Sequence, residues 1–413
     1  MVFFTMQLDD VLRVIEDSRD GIVKDMCSMI RIPAIGPFNG GVGECERADF
    51  IQTLLEGHFD SIERYDVEDD QFPGIIRPNV VARKHGKKNG TVWIISHLDT
   101  VLPGDLDKWD SPPYEPRVDG DRIFGLGTED NGQSVIASLY GAKFFESGTL
   151  NGKSIALAFV ADEETKSLMG IGHLIDLGLF SKDDFILVPD WGTPNGSLVD
   201  VAEKHLLWVK FAVFGKQTHG STPNKGLNAY RVSSFFLVDL LERLKDRYSN
   251  TNDIFRPDVS TFEPTKSIQT VGNINTIPGY DEFYLDCRIL PEYDPNEIME
   301  FMRSVAKEHE ERTGARIEVS IDQCTISGVP SDDTTDDYRE FVASVKDVLG
   351  QEPISVGVGG GTCANFFRLV GLNAYVWQCG GGTLHQPNEH VLVSNIINDA
   401  KVYATVFDRL CIR

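Results

Sequence analysis

Positive charge is what this chain has least of. Lysine and arginine together number 39 against 63 aspartates and glutamates, a formal net charge of −24 over 413 residues. Such a polyanion is repelled by nucleic acid and by anionic membranes, so neither is an expected partner. Long apolar runs are also lacking, and no stretch approaches the ~20 residues that a membrane-spanning helix needs. The N-terminus has no basic cluster and reaches Asp9 and Asp10 early, unlike a secretory leader, so a cytoplasmic protein is expected. The seven cysteines are scattered, odd in number and without Cys-x-x-Cys spacing. They fit reduced thiols better than a disulfide framework.

What remains is an ordinary globular composition, 41% hydrophobic and 25% charged, on a chain long enough for two domains. The apolar spacing predicts a helix within residues 8–34, ending near Pro33. Residues 79–82 and 91–96, either side of a Lys/Gly turn, predict a strand hairpin. Residues 132–146 predict a helix, and strand and helix signals alternate as far as Asp190. After about Ala202 the pattern changes to a strand at 205–214, an amphipathic helix at 229–248 and a strand at 281–290. Asp294, Pro295 and Glu297 then form a helix-start signature, with a stop at Gly314 and a strand at 316–322. This strand-helix-strand-helix-strand block interrupts an α/β domain that resumes near Asp332, giving segments 1–202, 203–325 and 326–413.

Four apolar runs each stop at a residue able to hold a metal. Residues 91–96 end at His97, residues 155–161 at Asp162, Glu163 and Glu164, and residues 185–189 at Asp190. Residues 374–378 lead through a Gly-rich turn to His385. Short apolar runs followed by loops read as buried strands, and open α/β sheets place their sites beyond the carboxyl ends of strands. Histidine and carboxylate are zinc's ligands outside thiolate sites. A lone histidine is more often a satisfied core or surface residue, and a Gly-flanked acidic loop such as residues 125–132 is a weak signal. Their convergence on one sheet edge outweighs those readings. His97 would ligate metal, with Asp99, two residues on, hydrogen-bonded to its other ring nitrogen. The adjacent pair Glu163 and Glu164 repel each other. One can bind metal while the other, its pKa raised, handles the proton of a water.

Together the motifs resemble the M20 family of dinuclear zinc amidohydrolases, which includes deacetylases, desuccinylases, carboxypeptidases and dipeptidases. They run in family order: Ser96-His97-Leu98-Asp99, Gly127-x-x-Asp130-x-Gly132, Asp162-Glu163-Glu164, Asp190, Gly215-x-x-x-His219-Gly220-Ser221, and His385-x-x-Asn388-Glu389. The resemblance implies an α/β catalytic domain of the zinc-hydrolase (phosphorylase/hydrolase-like) kind with an inserted α+β, ferredoxin-like lid that forms a homodimer. It implies two zinc ions per subunit, replaceable by cobalt or manganese. One would be held by His97 and Asp190 and the other by Glu164 and His385, with Asp130 bridging and Glu163 as general base. A cis peptide after Asp130 belongs to the same pattern. In the lid, His219 matches the residue that stabilises the oxyanion from the partner subunit, and Asn275 and Arg288 match residues that contact substrate oxygens or carboxylate, a strand-face salt bridge being the alternative for Arg288. Residues 359–362, with Gly360, Gly361 and Thr362, lie where relatives approach the substrate.

The chain departs from the family pattern in places. Leu126 stands where an arginine is common, and Cys363-Ala364-Asn365 stands where many relatives have Asp-Ala-Arg. Asp190 is an aspartate, as in the di- and tripeptidases, where the deacylase branches tend to have glutamate. Cys363 has no evident base beside it and reads as a small packed thiol. The expected function is amide hydrolysis of a small dipeptide or N-acyl amino acid by a metal-bridging water. A strictly biosynthetic deacylase, a desuccinylase or deacetylase, is the alternative. From another class comes an inert metal-dependent binding protein, which the intact ligand set and Glu163 disfavour.

Overall fold

The strand Thr91–His97 is buried from Val92 onward, so it needs neighbours on both edges and cover on both faces. In the computed structural model, which describes residues 6–268 and 271–413, it pairs in parallel with Ser154–Val160 on one side and Phe185–Val188 on the other. Tyr375–Val376 adds a further parallel strand beside Phe185–Val188. Among the described residues the sheet has eight strands. Ser61–Arg64 and Val80–Lys84 extend one side, and Leu198–Glu203 and Ile354–Val358 the other. Four central strands running the same way bring their carboxyl ends to one edge. The candidate site forms there.

The expected hairpin between residues 79–82 and 91–96 does not form. Ser154–Val160 lies between them, antiparallel to Val80–Lys84 and parallel to Thr91–His97. Its apolar side chains are buried on both faces, and an interior slot is the position that covers both. The N-terminal helical stretch is likewise two helices, Leu8–Asp17 and Arg19–Ile30. Ser18 separates them, its hydroxyl donating to the carbonyl of Val14 at 2.7 Å, a local bond that competes with helix continuation. Gln133–Ala142, buried along its whole length, packs against the closing helix Val393–Phe407.

The chain forms two units. One comprises Met1–Val201, Pro330–Val356 and Thr362–Arg413, and the other Ala202–Val329 with Gly357–Gly361. The second unit has a four-stranded sheet in the spatial order Thr261–Ile268, Tyr280–Ile289, His205–Phe214, Arg316–Thr325, antiparallel throughout. Its helices Ala229–Arg247 and Pro295–Thr313 cover one face. Phe211, Phe283, Phe236, Leu240, Met302 and Val305 share that core. Strand-helix-strand-strand-helix-strand in this order is the ferredoxin-like arrangement. Asp294 accepts from the Asn296 amide at 2.8 Å, and Gly314 ends the helix at φ 75°, where a residue without Cβ is unstrained. The strand Thr261–Ile268 was not anticipated. It is an edge strand, exposed from Glu263 onward, and contains Pro264, so it shows no apolar alternation.

Candidate metal centre

Each strand end delivers its group as a consequence of the parallel pairing. His97, in register with Val160, is buried. Its Nε2 lies 2.8 Å from Asp130 Oδ1 and 3.3 Å from Asp190 Oδ1. On the other side of the same carboxylate, His385 Nε2 lies 3.0 Å from Asp130 Oδ2 and 3.2 Å from Glu164 Oε2. Two donor groups result, His97–Asp130–Asp190 and Asp130–Glu164–His385, with the donor atoms of each within 4.8 Å of one another. Asp130 belongs to both. Asn131 supports the arrangement, donating to Asp190 Oδ1 at 2.9 Å and to the carbonyl of Pro189 at 2.8 Å. The Asp130–Asn131 peptide is cis. Gly127 admits the loop: at φ +81° a Cβ there would stand 2.7 Å from Thr100 Cγ2.

The electrostatics follow from burying like charges together. Glu163 has its pKa raised well above the ordinary value by burial, then by the charges of Asp190, Glu164 and Asp99, with His97 acting the other way. Glu164 is pushed up to about 7 by burial and by Asp130, against its hydrogen bond with His385. His385 is raised to about 10 by its hydrogen bonds to Asp130 and Glu164. Burial opposes protonation of His97, but its contacts with Asp130, Asp190 and Asp99 hold its pKa well above the usual value. Carboxylates massed around two imidazoles form the donor set that suits zinc, cobalt or manganese.

Asp99 does something other than expected. His97 Nδ1 closes on the backbone carbonyl of Asp99 at 3.0 Å, while Asp99 Oδ1 is 3.6 Å away. The Asp99 carboxylate instead accepts from the backbone amides of Glu163 and Glu164, each at 3.0 Å. It therefore fixes the turn that carries both glutamates. That turn is held from its other side by a group the sequence did not reveal. Buried Arg77 donates to Glu44 at 2.7 Å, Asp69 at 3.2 Å and Asp162 at 3.3 Å. Asp162 sits at φ 68°, its carboxylate also accepting from the Met169 amide at 3.2 Å. Glu129 and Glu389, both buried, were likewise missed as functional candidates. The only signal was their position inside two of the motifs.

The remaining candidates divide between the units. Thr362 lies in the first, while Gly360, Gly361, His219, Asn275 and Arg288 lie in the second. His219 and Asn275 come together on a short two-stranded ribbon. His219 pairs with Thr276, and the Gly220 amide donates to the Asn275 carbonyl at 2.7 Å. The exposed His219 ring bonds Ser221 Oγ through Nδ1 at 2.7 Å. Arg288 departs from the role of a waiting carboxylate anchor. Its guanidinium forks onto Asp286 at 2.7 and 3.1 Å and donates to the Gly359 carbonyl at 2.6 Å. It ties its own strand to the Gly-rich run. Cys363 is buried, as a packed thiol would be.

A histidine–carboxylate donor set sharing one buried aspartate, at the carboxyl edge of a mixed sheet, marks a metallohydrolase. Residues 93–409 match the peptidase family M20/M25/M40 profile. An uncharacterized metallohydrolase of Methanocaldococcus jannaschii is 38% identical over 400 residues, covering 92% of this chain and 97% of that protein. A succinyl-diaminopimelate desuccinylase of Alkalilimnicola ehrlichii is 27% identical over 344 residues, 80% of this chain and 87% of that one. In fold, the chain is similar to the di-peptidase Dug1p of Saccharomyces cerevisiae. The TM-score is 0.71 at 16% identity, covering 98% of this chain and 99% of that one. The chain belongs to peptidase family M20/M25/M40 and is a hydrolase acting on amide bonds.

Proposed function

We propose that the chain cleaves the amide bond of a small dipeptide or N-acyl amino acid at a centre for two divalent metal ions, zinc with cobalt or manganese as substitutes. The observation that carries this reading is the split of Asp130, one oxygen toward His97 and the other toward His385. His97 and Asp190 would hold one ion, Glu164 and His385 the other, with Asp130 shared. Bound there, the ions would polarise the scissile carbonyl and make water a nucleophile at neutral pH. Glu163 belongs to neither donor group and adjoins the ligand candidate Glu164, which leaves it to take a proton from the attacking water and deliver it to the leaving amine. His219, on its exposed ribbon, is the candidate donor to the oxyanion.

Glu163→Ala is expected to lose nearly all turnover and still bind two metal ions per chain. Metal stoichiometry and kcat measured on one preparation check this. Near-normal kcat would remove the role, and loss of an ion would make Glu163 a ligand. The desuccinylase relative supports the acyl-amino-acid side of the substrate range and the dipeptidase fold its peptide side. A panel of dipeptides and N-acyl amino acids under defined metal separates them.

A further inference from the structure

Asp130 and His385 come from loops about 250 residues apart, and two buried carboxylates bind those loops to each other. Glu389, four residues beyond His385, accepts from the backbone amides of Gly127 at 2.8 Å, Glu129 at 2.8 Å and Asp130 at 3.0 Å. In return Glu129, next to Asp130, accepts from the amides of Gly381 at 2.6 Å, Gly382 at 2.7 Å and Thr383 at 2.7 Å, and from the Thr383 hydroxyl. Each carboxylate sits in a cradle of the other loop's N–H groups. Carboxyl oxygens are acceptors, so the converging amide donors give these buried oxygens partners, although at Glu389 burial still outweighs them and lifts its pKa to about 8. The two cradles are not equivalent in what they position. Glu389 holds the loop of Asp130, which serves both donor groups. Glu129 holds the turn leading to His385, which serves only one.

His385 has need of such a hold. Its side chain is 53% exposed, so packing does little to fix it. Its backbone stands at φ 58°, a left-handed conformation that a non-glycine residue keeps only when its surroundings impose it. We propose that Glu129 is a positioning residue that fixes His385 through residues 381–383 and thereby sets the affinity of the Asp130–Glu164–His385 position for a divalent ion, leaving the His97–Asp130–Asp190 position untouched. This rests on the two-ion reading above.

The test titrates full-length, metal-stripped protein with Zn2+ against a chromophoric chelator. Asp190→Ala isolates the His385 position and His385→Ala isolates the His97 position. Glu129→Gln places an amide N–H2 among donors and removes the charge. In the Asp190→Ala background it is expected to weaken the remaining ion about 10- to 100-fold, the usual effect of losing a partner behind a ligand. In the His385→Ala background it is expected to change nothing. Glu129→Asp should restore part of the loss. Thr383→Val, which removes one donor from the opposite loop, should weaken the same position by a smaller factor and add little to Glu129→Gln. It also serves if Glu129→Gln does not fold. Unchanged affinity at the His385 position, or equal loss at both, overturns the proposal. A parent protein that binds fewer than two ions overturns the metal reading instead.

Discussion

Arg288 shows how much a single side chain's partners decide. An arginine fork is the natural seat for a substrate carboxylate, but this one is already seated on Asp286 and the Gly359 carbonyl. Both side chains of the ion pair are partly exposed, so its contribution to stability is modest, under about 1 kcal/mol. Arg288→Ala is therefore expected to lower kcat/KM by the same factor on a free-carboxylate substrate and on its amide. A loss at least 10-fold greater on the free carboxylate, near the ~1.5 kcal/mol that a charged hydrogen bond contributes at the low end, would return Arg288 to the role of anchor. Asp99 carries the same lesson. Its spacing from His97 suggested one partner, and the fold gave its carboxylate the two amides of the glutamate turn.

At the scale of elements, the glutamate turn is held by charges buried on both sides. Arg77 is the one cation bonded to Glu44, Asp69 and Asp162 among the described residues, and all four side chains are buried. Burial, then the charge of Asp99, pushes Glu44 up to about 8 even with Arg77 beside it. Removing the cation takes the shared positive charge from the buried Glu44, Asp69 and Asp162, and Arg77→Ala is expected to cost about 3–5 kcal/mol, read as a fall in the urea midpoint at constant m-value. A change within about 0.5 kcal/mol, the size of an ordinary surface substitution, would mean the network is dispensable. The strands that end in ligands were legible because each is a short apolar run, and the Asp294 cap was legible from local chemistry. Three things were not. The partner of Val80–Lys84 lies some 70 residues away in Ser154–Val160, and no local signal encodes that pairing. The edge strand Thr261–Ile268 is exposed and lacks alternation. Arg77, Glu129 and Glu389 act through contacts between distant segments, which spacing does not reveal.

For the molecule as a whole, the second unit presents two edge strands, Thr261–Ile268 and Arg316–Thr325, and exposed Tyr230, Phe235 and Val238 on the helix Ala229–Arg247. We propose a homodimer through residues 203–325, in which His219 would serve the partner's site, and these features agree with it. Light scattering is expected to give twice the chain mass. Mixing His219→Ala with Glu163→Ala chains is expected to recover activity that neither has alone, and a fully active monomer would contradict both. Among the described residues no helix is long and apolar enough to cross a membrane. On the reading proposed above, Asp130 joins two metal positions. Metal content per chain after dialysis, in the parent and three variants, decides it. Two ions are expected in the parent, one each in Asp190→Ala and His385→Ala, and none held tightly in Asp130→Ala. Two ions retained by Asp130→Ala, or a parent that holds one, would contradict it.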